Sequence, residues 1–170
     1  GTFSGSKKGF GFLRPKDKTI PDVFIPLADT LYAMNNDEIC VKITKPATST
    51  ASAEGKVVKI LKRANNTIVG TVQVNRNIVF VIPDDKKSDY DIFITNKNNK
   101  KYRSGQKVVV KITKWPDKFK GAAGNIVEIL GYSDDAGVDV MSVIRGHHIK
   151  DLFEIKTLQE ADRLKVTEKD

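Results

Sequence analysis

Hydrophobic residues in this chain come in short runs bounded by turn-forming residues. Val, Ile and Phe dominate 9–14, 22–25, 37–44 and 55–61, and parts of each run alternate with polar positions. That period of two is the pattern of strands with one buried face. The clearest case is Ile39, Val41 and Ile43 alternating with Cys40, Lys42 and Thr44. Arg14-Pro15-Lys16-Asp17, Asn35-Asn36-Asp37 and the small-residue stretch 46–55 supply the intervening turns. With a short strand at 1–4, the pattern predicts five strands in residues 1–66.

The pattern then repeats. Val-Lys-Ile-Thr-Lys at 41–45 returns at 110–114, and Gly1-Thr2 returns as Gly70-Thr71. Asp-Val-Phe-Ile at 22–25 returns as Asp-Ile-Phe-Ile at 91–94, and the run at 55–61 returns as Gly-Asn-Ile-Val-Glu-Ile-Leu at 124–130. Each block is displaced by 69 positions, except that Phe12 and Pro15 meet Phe80 and Pro83 at 68, as a one-residue loop deletion would produce. Strands are therefore expected again near 69–74, 77–82, 90–94, 107–114 and 124–131. The fold expected is all-β: two tandem five-stranded barrels of the OB type, at 1–66 and 67–133. A helical connector follows at 134–170, with Val138, Met141 and Ile144 at helical spacing and a second short helix after the capping-box pattern Thr157-Leu158-Gln159-Glu160.

Charge adds a direction to this picture. Lys and Arg number 29 against 21 Asp and Glu, a net charge of +8; residues 1–68 carry +5, 69–135 carry +4 and 136–170 carry −1. The excess positive charge belongs to the barrels, which favours an anionic partner. No apolar run approaches the ~20 residues of a membrane span, so no membrane role is expected. The single Cys40 excludes an internal disulfide and a Cys-rich zinc site, and a cytoplasmic location is the natural reading. His147 and His148 are adjacent, which suits two-ligand metal binding poorly, and no nucleophile is placed beside either. Asp84-Asp85 and Asp134-Asp135 read as turn and linker residues. No catalytic or metal-binding set is expected in this stretch. The chain starts at Gly1 with no charged-then-apolar leader, and reads as a fragment or a processed chain.

Candidate binding chemistry lies in Lys-Lys-Gly-Phe-Gly-Phe-Leu at 7–13. On an extended strand Phe10 and Phe12 share a face, with Lys8 on the same face and Gly9 and Gly11 on the other. Phe24 comes from the neighbouring strand, and Lys7 lies beside Lys8. Rings and cations together suit single-stranded nucleic acid, whose bases stack and whose phosphates need neutralising. The alternative is that these rings fill the barrel core. In the second unit Phe80 and Phe93 remain, but Ile78 stands where Phe10 stood. This barrel is expected to bind by fewer rings and more charge, through Lys97, Lys100, Lys101 and Arg103, unless those form only a solvated loop. Trp115 is expected to pack between domains in preference to stacking on RNA.

Lys-Gly-Phe-Gly-Phe-Leu followed by Asp-Val-Phe-Ile resembles the paired ribonucleoprotein motifs of cold-shock domains. The resemblance implies that Lys8, Phe10, Phe12 and Phe24 stack on and neutralise RNA. The family's Lys-Trp-Phe stretch has no counterpart, and Pro26 and Leu27 replace its His and Phe, so fewer stacked bases per domain are expected. Over its whole length the chain resembles the ribonuclease II/R family of bacterial exoribonucleases, through the tandem units, Val-Lys-Ile-Thr-Lys-Trp-Pro-Asp at 110–117, 124–131 and Asp-Ala-Gly-Val-Asp-Val-Met-Ser-Val-Ile-Arg at 135–145. That resemblance implies a processive, magnesium-dependent 3′–5′ exoribonuclease as the parent. This stretch would be its RNA-gathering part, without cofactor or catalytic residues of its own, partnered by single-stranded RNA and by a catalytic domain lying outside the chain. Rival readings are a free-standing RNA chaperone or translation-associated OB protein, and a module that docks protein with its rings buried.

Overall fold

Strands form where the alternation placed them, because each can turn one set of apolar side chains toward a common axis. In a computed structural model, which describes residues 1–147 apart from 77, 89, 97–100 and 119, the first five are β1 (Thr2–Gly5), β2 (Gly11–Arg14), β3 (Val23–Ile25), β4 (Glu38–Lys45) and β5 (Glu54–Lys62). The second five are β6 (Thr67–Asn75), β7 (Ile78–Pro83), β8 (Ile92–Ile94), β9 (Gln106–Lys114) and β10 (Ala122–Tyr132), followed by one helix, α1 (Val138–Gly146). Both sets close into barrels with the same strand order, β1-β2-β3-β5-β4 and β6-β7-β8-β10-β9, and β3–β5 and β8–β10 are the parallel pairs. The class is all-β with two five-stranded OB barrels, as the repeat implied.

The repeat extends to register and turn geometry. Phe3 opposes Leu13 and Gly5 opposes Gly11 in the first barrel; the equivalent pairs in the second are Val72–Val81 and Val74–Val79. Before the fourth strand of each barrel, a residue with positive φ donates its N–H back to the first strand: Asn36 (φ 70°) to Phe3 O at 2.8 Å, and Gly105 (φ 90°) to Val72 O at 2.9 Å. Asp37 closes the first of these turns by accepting from Met34 N–H at 2.8 Å, and Gln106 closes the second by accepting from Arg103 N–H at 2.8 Å.

The cores differ in how they fill the same space. Phe3, Ile25, Ala33, Ile39 and Val57 fill the first barrel. A Cβ on Gly11 would stand 2.3 Å from the Phe3 ring, so the large side chain on β1 requires none on β2. The second barrel has Val72 and Val79 at the two corresponding positions, inside a core that also holds Val81, Ile92, Val108 and Val110. α1 packs on β6, β9 and β10 with Val138 buried and Met141 and Ile144 half-buried, while Val140 and Val143 face outward.

Three expectations change. β2 starts at Gly11, not at residue 9, because Gly9 takes a left-handed conformation (φ 81°) and its N–H closes a turn onto Ser6 O at 2.8 Å. Ile43 is 48% exposed although it continues the Ile39–Val41 alternation. Burial falls along the inward row of β4, from Ile39 (buried) through Val41 (half-buried) to Ile43, which pairs with Gly55 beyond the core residues. β8 is limited to Ile92–Ile94, shorter than the 90–94 expected. The second helix expected after Thr157 lies outside the described residues.

Candidate nucleic-acid interface

β2 and β3 build the first half of the site. Their register sets Phe12 opposite Phe24, and both rings stand on the outside of a barrel whose inner positions here are Gly11, Val23 and Ile25. Phe10, in the turn just before β2, completes a triangle. Ring centroids lie 5.9 Å apart for Phe10–Phe12, 5.7 Å for Phe10–Phe24 and 5.6 Å for Phe12–Phe24, in tilted and edge-on arrangements that aromatic pairs favour. All three are half-buried, against one another and not in the core; Phe3 is the phenylalanine that fills the barrel. Lys7 and Lys8 are exposed, but they occupy the Ser6–Gly9 turn, so strand parity does not set Lys8 beside the rings as the alternation suggested.

The second barrel repeats the arrangement with one ring fewer. Phe80 opposes Phe93 in the register that Phe12 and Phe24 share in the first. Phe93 is 48% exposed and Ile78, at the place of Phe10, is 57% exposed. A shallow groove is lined by these three residues with Asn75, Arg76 and Asp91. Its cation is Arg76, a residue the sequence reading passed over. The signal was available, since the displacement of 68 that aligns Phe12 with Phe80 also aligns Lys8 with Arg76.

Of the basic loop expected to serve this groove, the described members Lys101 and Arg103 are not among the residues that line it. Lys101 lies 5.2 Å from the ring centroid of Tyr102, which is buried in the second core, and Arg103 donates from its guanidinium to the Tyr102 carbonyl at 3.1 Å. Lys97 and Lys100 lie outside the described residues, as does His148. His147 is exposed at the end of α1. Asp84 pairs with Lys107 Nζ at 2.6 Å, Asp85 accepts from Asn35 Nδ2 of the first barrel at 2.9 Å, and Asp135 accepts from Tyr132 N–H at 2.7 Å.

Trp115 packs between domains. It lies against the second core, and the Arg63 guanidinium covers its ring at 4.6 Å. Arg63 follows the last strand of the first barrel and is held by the buried Asp37, 2.7 Å away, and by the Tyr32 carbonyl at 3.1 Å. Ala64 N–H donates to the other Asp37 oxygen at 3.0 Å. Asp37 thus serves its own turn and braces one barrel on the other, a role that sequence alone did not suggest.

Comparison with known proteins places this architecture. Residues 1–60 match the ribonuclease B OB domain and residues 80–154 the cold shock domain. Ribonuclease R of Thermotoga maritima is 31% identical over 167 residues, which cover 96% of this chain and 23% of that protein. Ribonuclease R 2 of Lactococcus lactis is 34% identical over 187 residues, covering all of this chain and 27% of its own length. The chain is homologous to a segment of ribonuclease R. It spans about a quarter of the ribonuclease R chains it matches. Ribonuclease R of Mycoplasma genitalium, solved with ribose-methylated single-stranded RNA, has the same fold, with a TM-score of 0.74 at 19% identity over 96% of this chain and 26% of that one. Among the described residues no helix is long and apolar enough to cross a membrane.

Proposed function

We propose that this segment binds single-stranded RNA, chiefly through Phe10, Phe12 and Phe24 and more weakly through Phe80 and Phe93. The observation that carries the reading is the triangle of three clustered rings on the outside of a net-positive barrel, where a ring has more to gain from a base than from the core. Base stacking on such rings is worth ~1–3 kcal/mol per base, and phosphate contacts make the binding salt-sensitive. Neither contact reads base identity, so the binding is tolerant of sequence. The Mycoplasma genitalium complex with single-stranded RNA supports the choice of ligand.

In the longer protein, the homology to ribonuclease R supports a role in gathering RNA and guiding it to a magnesium-dependent 3′–5′ exoribonuclease domain in the cytoplasm. Lys7, Lys8 and Arg76 supply charge along the surface; Lys101 and Arg103 stand apart from the second groove and add to the general field. The test is fluorescence anisotropy of a labelled oligouridylate titrated with the chain and with Phe12→Ala. The variant should bind more weakly by ~1–3 kcal/mol with its thermal unfolding unchanged. Equal affinity with lost stability would mean that the ring serves the fold. An RNA degradation assay with magnesium, run on this chain and on the longer protein, tests the second part: only the longer protein should degrade RNA.

A further inference from the structure

α1 seats on the outside of β9 and β10 in the second barrel. Val109, which pairs with Glu128 across those strands, is buried although it lies outside the barrel core. Arg145 of α1 grips Glu128 with two hydrogen bonds, from Nε at 2.9 Å and from Nη2 at 3.2 Å. Val138 lies so close to β10 that a Cβ on Gly131 would stand 2.8 Å from its Cγ2. A helix with an apolar row and one charge thus covers this face.

The displacement of 69 carries the same face onto β4 and β5 of the first barrel, with Cys40 for Val109, Lys59 for Glu128, Lys56 for Asn125 and Leu61 for Leu130. There it lies open. Cys40, Lys42, Lys56, Val58, Lys59 and Leu61 are all exposed, whereas Val109 is buried and Leu130 half-buried. The sign of the charge is also reversed, a lysine standing where α1 meets a glutamate.

Charge on the open face is unrelieved. Cys40 pairs with Lys59 and Lys42 with Lys56, so two ammonium groups stand directly opposite on neighbouring strands. Like charges in that position destabilise a sheet. The acidic residues beside them are already taken, Glu38 by Lys16 and Glu54 by Lys45, both at 2.6 Å. Among the described residues Lys42, Lys56 and Lys59 have no ion pair. Val58 and Leu61 fall where the pairing skips a residue of β5, and they stand among the lysines in the order Lys56, Val58, Lys59, Leu61, Lys62. Neither β4 nor β5 carries an aromatic ring on which a base could stack. Aliphatic side chains between cations suit a protein with apolar and acidic residues on one face.

We propose that the outer face of β4 and β5 is a docking surface for an acidic amphipathic helix of a partner protein, seated as α1 is on the second barrel. Its apolar row covers Val58 and Leu61, and a carboxylate meets Lys59 where Arg145 meets Glu128. This is separate from the RNA-binding reading and does not depend on it.

The test is an NMR titration of the whole chain, labelled with 15N. The probe is a synthetic peptide of residues 134–147 carrying Arg145→Glu, cross-linked between the exposed positions 139 and 143 to hold it helical. It keeps the apolar row of Val138, Met141 and Ile144 and replaces the cation by a carboxylate. The peptide should shift the amide signals of Cys40, Lys42 and Lys59, and should bind about fivefold more tightly than the same peptide with Arg145. Lys59→Glu in the chain should reverse that preference. A labelled oligouridylate should shift the signals of Phe12 and Phe24 and leave those of Cys40, Lys42 and Lys59 in place. If neither peptide shifts those three signals, if the two peptides bind alike, or if Lys59→Glu leaves their order unchanged, the docking surface is overturned. If the oligouridylate shifts them as strongly as it shifts Phe12 and Phe24, the face belongs to the RNA surface and the proposal fails for that reason.

Discussion

The two barrels are built to the same plan and finished differently. Strand order, register and the turn before the fourth strand repeat from one to the other. The outer face of the second and third strands does not: three rings in the first barrel, two rings and an exposed Ile78 in the second. Nor does the turn residue. Asp37 carries a charge and holds Arg63 over Trp115, whereas Gln106 closes the same turn without one. The inner positions constrain closure of the barrel, and the outer ones are free to diverge in what they bind.

The largest effect should come from forcing one barrel's interior on the other. Gly11→Val installs the residue found at Val79 where Phe3 already fills the space. Overpacking of this kind should cost about 3 kcal/mol in denaturant unfolding, and adding Phe3→Val should recover part of it. If Gly11→Val is neutral, the two cores are not complementary solutions to one volume.

The turn residues come next. Asp37→Asn keeps an acceptor for Met34 N–H and removes the charge that holds Arg63. It should cost about 2 kcal/mol of stability and loosen the barrels, seen as faster proteolysis between them. Gln106→Ala should cost about 1 kcal/mol, because it loses a neutral hydrogen bond only. Equal losses would show that Asp37 does no more than its counterpart.

On the binding face, Phe12→Ala should weaken RNA affinity by about 2 kcal/mol and Phe80→Ala by about 1 kcal/mol. Ile78→Phe, which restores the missing ring, should strengthen binding by about 1 kcal/mol. A smaller effect is expected of Arg76→Gln, which should lower the salt slope by about 0.7 with little change in stability.

The smallest effect concerns acid. A hydrogen bond from Lys16, 2.6 Å away, and the accompanying charge attraction hold the Glu38 carboxyl below its ordinary range. The folded state therefore favours the ionised form. Its contribution to stability is present above the ordinary glutamate pKa and is lost as pH falls through the lowered one. Lys16→Ala should move the Glu38 titration, followed by NMR, back up toward its ordinary value. At this exposed pair the change in unfolding free energy should be near the limit of measurement.

Much of the fold was legible in advance because its signals are local or repeated. Alternation marked the strands, and the displacement of 69 predicted two equivalent barrels; Phe12–Phe24 and Phe80–Phe93 occupy the same register. The start of β2 was misjudged because Gly9 fits a strand by pattern while its backbone adopts a turn. Arg76 was passed over because charge was sought in a lysine-rich loop and not in the hairpin position that the repeat marked.

The sequence by itself determined the number of barrels, the place of their strands along the chain and which strands bear the rings, since period-two alternation and an internal repeat can be read along the chain without knowing which strands pair. Tertiary structure alone decided which loops meet. Asp37, Arg63 and Trp115 come together across the barrels, and Lys87 comes to the edge of Phe10 from 77 positions away. Such contacts follow from the way two closed sheets rest on each other, and no spacing within either repeat encodes that.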